Sequence, residues 1–285
     1  MDGKQCREQG TLFVKNECCL ISPFFPYDSK IQRKPKGHLY LYPLIAIAAM
    51  LAIVFVMDLP HMHKPKQQLS QTIRIPAGQR AQMDLPDGSV VWLNSQTTLT
   101  YDEDFGKKDR KVTLDGEAYF EVAHNKEIPF YVQTENIKVQ VTGTKFDVCS
   151  YKGSNSFIAR LIEGSINLLT NSAKEEKTIT RLTKGKYFSM ENGKYRTGEM
   201  SSNNALAWMQ GIYYFDDVPF KELLDKIALY YNYKITVKNP KILENYRCTG
   251  KFKDLDGIEH ILKVIQKDHP FKYDIDNEHN KITIE

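Results

Sequence analysis

The sequence predicts a membrane-anchored protein. Its exported part is an all-β domain, sandwich or solenoid-like, followed by a small α+β domain of duplicated helix–strand units. Three observations lead there. Residues 39–57, LYLYPLIAIAAMLAIVFVM, carry no charge. Apolar and polar residues then alternate from about residue 72 to residue 200 without any helical period. Beyond residue 205, apolar residues recur twice at helical spacing, each time followed by a short strand-like run.

The uncharged stretch is the first element. As a helix it would rise roughly 28 Å, close to the ~30 Å hydrocarbon core of a bilayer. It is too long and starts too far into the chain for a secretory signal, and no small-residue cleavage pattern follows, since DLPHMHKPK comes next. A helix on a soluble surface would show a polar face, and this one has none. Lys30, Arg33, Lys34 and Lys36 precede it, against Lys64 and Lys66 after it. Lys/Arg excess marks the cytoplasmic side. Residues 1–38 are therefore expected in the cytoplasm and everything after about residue 58 outside, which in a two-membrane bacterium is the periplasm. Membrane lipid is the first expected partner. Residues 58–71, polar with two prolines, read as a linker.

Composition narrows the function classes. The 285 residues are 41% hydrophobic and 26% charged, with a net charge of +4. That suits folded domains with a real core. It lacks the basic footprint of a nucleic-acid binder, so no direct nucleic-acid partner is expected. Cys6, Cys18 and Cys19 fall on the reducing side, and Cys149 and Cys248 on the oxidising side. Cys149 and Cys248 lie in expected strands of different domains, and whether they pair stays open.

In the β domain, 72–200, Ala118, Phe120 and Val122 alternate with Glu117, Tyr119 and Glu121. Ile137, Val139 and Val141 do the same, as do Phe146 with Val148, Phe157 with Ala159 and Leu161, and Ile166 with Leu168. This is the pattern of half-buried strands. Asp87-Gly88, Asp115-Gly116, Glu163-Gly164, Lys184-Gly185 and Asn192-Gly193 punctuate them as expected hairpin turns. Asp87-Gly88 would deliver Val90 to Leu93 into a sheet with two apolar faces.

In the last domain, 205–285, a strand at Ile212 to Phe215 leads to Pro219, placed at a first helical position. A helix then buries Phe220, Leu223, Leu224, Ile227 and Tyr231, and Tyr233 to Val237 is a strand. Asp256 and Glu259 suggest a capping box for a second helix burying Ile258, Ile261, Leu262 and Ile265, with strands at Phe271 to Ile275 and Lys281 to Ile284. The shift from Phe220 to Ile258 superposes the helix faces and the strands that follow. Two helices on one face of a small sheet are expected. Lys281–Ile284 reads as an edge strand able to accept a partner's strand.

Chemistry is hard to find. No G-x-S-x-G, Walker loop or G-x-G-x-x-G occurs. His61 and His63 are too few for a zinc site, Cys6, Cys18 and Cys19 match no metal or lipidation pattern, and His260, His269 and His279 have no ligand spacing. Asp102, Glu103, Asp104 and Asp109 lack an alternating calcium loop. The expectation is a non-enzyme with no catalytic, metal or cofactor residue and with its partner-binding residues unassigned. Tyr213-Tyr214-Phe215 and Tyr230-Tyr231 suit either a partner surface or the core.

The strings IPAGQRAQMDLPDGSVVWLNSQTTLTY, VTLDGEAYFEV and IPFYVQTENIKVQVTGTKFDVCSY resemble the outer domain of the FecR family, single-pass anti-sigma regulators; LIEGSINLL and LTKGKYFSM fit the same strand pattern. The last eighty or so residues resemble the C-terminal domain of the family's Bacteroidetes branch, which is similar to the signalling domain of secretins and TonB-dependent receptors. The resemblance implies an inner-membrane protein that relays the state of a TonB-dependent outer-membrane transporter to an extracytoplasmic-function sigma factor. Its implied partners are that sigma factor, the receptor's signalling domain, and an intramembrane or periplasmic protease. Residues 1–38 are shorter than the helical sigma-binding region usual in the family and contain Pro23, Pro26 and Pro35, so ECCLISPFFPYD suits a linear docking segment rather than a folded domain; three readings stay open, in which the sigma contact is abbreviated, is lost, or the assigned start is wrong. The competing reading is a membrane-anchored periplasmic scaffold or glycan-binding module without sigma-factor contact.

Overall fold

The computed structural model describes residues 41–62, 69–171, 176–200 and 203–285. The chain divides into two compact units, 1–66 and 67–285. In the first, helix α1 (Leu41–Met62) runs past the expected end at Met57 and carries Pro60 in its last turn. Its described side chains, 42 to 55, are exposed on every side. Among the described residues no helix is long and apolar enough to cross a membrane. The segment 1–38 with Cys6, Cys18 and Cys19, together with His63 and the side chain of His61, lies outside the described residues.

The second unit begins as a chain that winds between two β layers. Strand β1 (Ser70–Arg74) lies in layer one, β2 (Ala81–Asp84) and β3 (Val90–Leu93) in layer two, and β4 (Thr98–Asp102) in layer one again. Strand β5 (Arg110–Glu121) belongs to both. The winding continues with β6 (Phe130–Gln133) and β7 (Ile137–Val141) in layer one, then β8 (Lys145–Ser150) and β9 (Ser156–Glu163) in layer two. Strands β10 (Ser165–Thr170) and β11 (Thr178–Thr183) return to layer one, and β12 (Lys186–Glu191) and β13 (Lys194–Glu199) close layer two. Layer one reads β1-β4-β5-β6-β7-β10-β11. Layer two reads β2-β3-β5-β8-β9-β12-β13. Every pairing is antiparallel except β5 with β6.

The alternation places one residue set between the layers. Leu93, Phe120, Phe146, Val148, Phe157 and Leu161 are buried there, and Phe120 stacks on Phe146 with centroids 5.1 Å apart. Each such side chain contributes about 1.5–3 kcal/mol by leaving water.

Three of the five expected hairpin turns are something else. Asp87-Gly88 does join the paired strands β2 and β3, and Asn192-Gly193 joins β12 and β13. Asp115-Gly116 instead sits inside β5, whose first half pairs with β4 and β6 and whose second half pairs with β3 and β8. Gly116 is the corner where the strand passes from one layer to the other. Its φ is +132°, and a Cβ there would lie 2.6 Å from the Thr97 Cα. Glu163-Gly164 and Lys184-Gly185 are likewise corners, because β9 does not pair with β10 and β11 does not pair with β12. A glycine signals a change of direction, and whether the chain folds back or crosses over depends on the partner strands.

A 3-10 segment, Asn203–Gln210, leads into the C-terminal lobe. There β14 (Ile212–Pro219) pairs with β16 (Arg247–Lys253), while β15 (Lys234–Val237), β18 (Lys281–Ile284) and β17 (Tyr273–Asp276) form a second sheet in that order. Helices α2 (Phe220–Tyr231) and α3 (Gly257–Asp268) bury the expected faces, with Tyr230 rather than Tyr231 completing the first. Tyr231 is half-buried and donates its hydroxyl to the Asp254 carbonyl oxygen at 3.0 Å.

Several local expectations need correcting. There are two sheets, not one, because β16 was not anticipated in the polar run RCTGKFK. It alternates all the same, with Cys248 and Phe252 facing inward. The Lys281–Ile284 strand is the centre of its sheet, flanked by β15 in parallel and β17 in antiparallel, so it offers no free edge. Pro219 is the residue before the first helical turn rather than in it. Asp256 makes no side-chain cap for α3; its carboxylate accepts the Lys253 amide at 2.9 Å instead. Cys149 and Cys248 are both free thiols.

Candidate site at the junction of the two lobes

The residues that alternate with the core of layer two face outward. Cross-strand register lines them up in a row: Trp92 opposite Tyr119, Tyr119 opposite Asp147, Asp147 opposite Arg160, and Arg160 opposite Tyr187. An outward row of an isolated sheet would be wet, yet Tyr119 and Asp147 are buried. The C-terminal lobe covers them. Trp92 and Tyr119 belong to the same apolar cluster as Trp208, Tyr213, Phe215 and Tyr230.

Polar contacts cross the seam at the end of α2 and at Asp254, and others order the row beneath it. The carbonyls at the C-terminal end of α2 are capped from across the junction: Gly78 N–H donates to Tyr230 O at 3.0 Å, Ser95 Oγ donates to the same oxygen at 3.1 Å, and Gln96 Nε2 donates to Leu229 O. Groups that a helix end leaves unsatisfied are met here by the corners between strands. Arg80 pairs with Asp254 at 2.7 Å, and the Tyr213 hydroxyl donates to the same carboxylate at 3.3 Å. Arg160 pairs with Asp147 at 2.5 Å and approaches Glu117 at 3.7 Å. Asn94 Nδ2 donates to Glu117 Oε2 at 2.6 Å.

Electrostatics at this cluster depart from the ordinary. Burial pushes the Asp147 carboxyl up to about 7, against the pull of Arg160 and with the help of Glu117. Burial also works against the Arg160 charge, but Asp147 and Glu117 outweigh it and hold the guanidinium protonated more firmly than usual. The Cys149 thiol is pushed well up, first by burial and then by Glu117. A thiol held in its neutral form is a poor nucleophile. The same two causes raise the Tyr230 phenol. Such a cluster can hold or release a proton and fix an interface.

Two hollows flank the row. A groove of about 740 Å³ runs along Trp92, Tyr119, Met209, Tyr214 and Lys251. A smaller one of about 80 Å³ lies between Glu117, Arg160, Trp208 and Lys226. The tyrosine runs resolve mostly into core: Tyr213 and Tyr230 stack with centroids 4.2 Å apart, and of these aromatics only Tyr214 is exposed. His269 stacks on Tyr246 and His279 pairs with Asp276, with no meeting of histidines. Asp104 pairs with Lys108. Among the described residues no group of three His, Cys, Asp or Glu side chains is placed to hold a metal.

Of the junction residues, the sequence marks Tyr213, Phe215 and Tyr230 as suiting either a partner surface or the core, but it does not mark Asp147, Arg160 or Trp208. The polar halves of the alternating strands gave no sign that a second lobe would cover them. The one available signal was the apolar surplus on both faces of β3, where Trp92 falls on the outer side.

The architecture is a two-layer β structure whose outer face seats an α+β lobe, with an ion pair and a helix end meeting across the seam. The chain belongs to the FecR family: residues 71–167 match the FecR protein family and residues 212–284 match its C-terminal domain, described as FecR, C-terminal. Two crystal structures of a candidate anti-sigma factor from Parabacteroides distasonis ATCC 8503, at 2.50 and 1.65 Å resolution, are similar to it. Each has a TM-score of 0.65 and 25% identity; they cover 76% and 75% of this chain, and 98% of their own. No curated protein matches the chain. Family and structural neighbour support an anti-sigma, signal-transducing role, with a sigma factor as the implied partner.

Proposed function

We propose that the chain is a single-pass inner-membrane anti-sigma factor. It relays the state of a TonB-dependent outer-membrane transporter to an extracytoplasmic-function sigma factor, by protein–protein binding and regulated proteolysis. The observation that carries this reading is the family match on both lobes, in the same order and joined as one unit. The uncharged stretch 39–57, with its side chains from 42 to 55 exposed all round, supports a membrane anchor. The Lys/Arg excess before it supports a cytoplasmic N-terminus. In this reading residues 1–38 contact the sigma factor and 58–71 hold the protease-sensitive stretch. Residues 72–200 and 205–285 form the periplasmic receiver, whose C-terminal lobe meets the receptor's signalling domain. No step of it is catalytic.

Crosslinking in intact cells followed by purification from membranes tests the reading. Recovery of a transporter signalling domain and a sigma factor is the expected result. Recovery of a polysaccharide with neither protein would replace it with an anchored glycan-binding scaffold. A phosphatase fused after Glu285 should be active only if that end is exported, and an inactive fusion reverses the topology.

A further inference from the structure

Beneath Trp208 the junction buries two carboxyls, Glu117 and Asp147, against one guanidinium, Arg160. Arg160 occupies Asp147 Oδ2, whereas Asp147 Oδ1 and Trp208 Nε1 meet no partner at good hydrogen-bonding geometry; the indole N–H lies near enough to the carboxyl to pull it down, but this pull is the smallest influence there and burial outweighs it. A buried carboxylate with one oxygen unsatisfied and a second carboxylate nearby is disfavoured as an anion. The groups facing it are known from each packed element. Strand β5 gives Glu117 and Tyr119, β8 gives Cys149, β9 gives Arg160, and α2 gives Lys226 and Tyr230. Lys226, which lines the same hollow, is engaged with Glu222 at 2.8 Å.

Trp208 rides on a 3-10 segment of 8 residues, a length uncommon for that helix type. The segment ends at Gly211, whose φ is +74°. Asp147 lies on the outward face of β8, so lifting the C-terminal lobe returns its carboxyl to water.

We propose that the junction is a proton-dependent latch: the C-terminal lobe seats on layer two with one proton taken up from solvent at Asp147, and loss of that proton favours release of Trp208 and the lobe. The sign follows from the two environments. Asp147 sits at about 7 when covered, against an ordinary value of 3.8 in water. A group whose value is raised in the closed state supports closure fully below its open-state value. It loses that support as pH climbs to the closed-state value. Closure therefore weakens about tenfold per pH unit from about 4 to about 7, and is level above that. A receiver of this kind is most easily opened near neutral pH and is locked by acid.

Exchange of the Trp208 indole N–H in the intact chain, divided by that of free N-acetyl-tryptophanamide at each pH, reads the latch. The expected protection is about thirtyfold greater at pH ~5.5 than at pH ~8. Protection equal within about threefold across that range overturns the proposal. Asp147→Asn, neutral at every pH, should give high and level protection. Glu117→Gln leaves Asp147 paired one-to-one with Arg160 and removes one of the causes that raise its carboxyl, so it should make the profile shallower, and it serves if the first variant does not fold. A Glu117→Gln profile as steep as the parent's overturns the proposal, because the second carboxyl would then not help to hold the proton at Asp147.

Discussion

Arg110 is the side chain on which the β layers depend most directly. It is only 2% exposed, and its guanidinium makes four hydrogen bonds. Nε donates to Ile128 O at 2.7 Å, Nη1 to Ala123 O at 2.7 Å and to Asp87 Oδ2 at 3.1 Å, and Nη2 to Asn125 O at 3.1 Å. The planar fork ties the β2–β3 hairpin to the irregular run between β5 and β6, a geometry that a lysine ammonium does not reproduce. Arg110→Met keeps most of the volume and strips these donors, leaving the Asp87 carboxylate buried with only Ser89 for company. Breaking a buried pair in this way costs about 3–5 kcal/mol. For a unit of this size that lowers Tm by roughly 6–20 °C. Urea denaturation followed by far-ultraviolet circular dichroism measures it. Asp87→Asn combined with Arg110→Met should cost less than the sum of the single changes, because no uncompensated charge is left. A single-variant loss below about 1 kcal/mol would refute the reasoning, since the pair would then be ornamental.

Other consequences are more local. Gly116→Ala places a methyl against Thr97 at a positive φ and should cost about 2–4 kcal/mol, read from a thermal melt. Ile284→Asp introduces a charge at a fully buried position of the central strand β18; it should unfold the C-terminal lobe while the circular dichroism of the β layers persists. Arg80→Ala removes a partly exposed pair with Asp254 and should cost no more than about 1 kcal/mol in a melt, and less still at high salt.

The alternating pattern made the β layers readable because one face of their central strands is dry. Ala118, Phe120, Val148 and Leu161 point inward as their spacing requires. The helices of the C-terminal lobe were readable for the same reason, since Leu223, Leu224, Ile227 and their counterparts Ile261, Leu262 and Ile265 leave little choice of face. Strand β16 escaped because a single apolar face of Cys248, Gly250 and Phe252 is too small a signal beside three basic residues. The corners escaped because backbone conformation at a glycine is local, whereas the layer that the next strand joins is decided by distant partners. Asp87 shows the difference within one residue. Its turn-forming role beside Gly88 is legible, but its burial against Arg110, twenty-three positions on, is not.

The junction escaped for a deeper reason, which bears on how the protein works. Tyr119, Asp147 and Arg160 occupy the positions that alternation assigns to water, and they are polar enough to stand there. A face fit for water in one arrangement and covered in another is what a reversible contact needs, because neither state exposes a large dry surface. A permanent seam has no such requirement and favours apolar residues. Truncating the chain after residue 200 tests the point. The exposed face should remain soluble without aggregation, and Tyr119, whose hydroxyl is pushed up first by burial and then by Glu121, should titrate closer to an ordinary phenol. Aggregation of the truncated protein would mean that the seam is a core divided in two rather than a contact built to open.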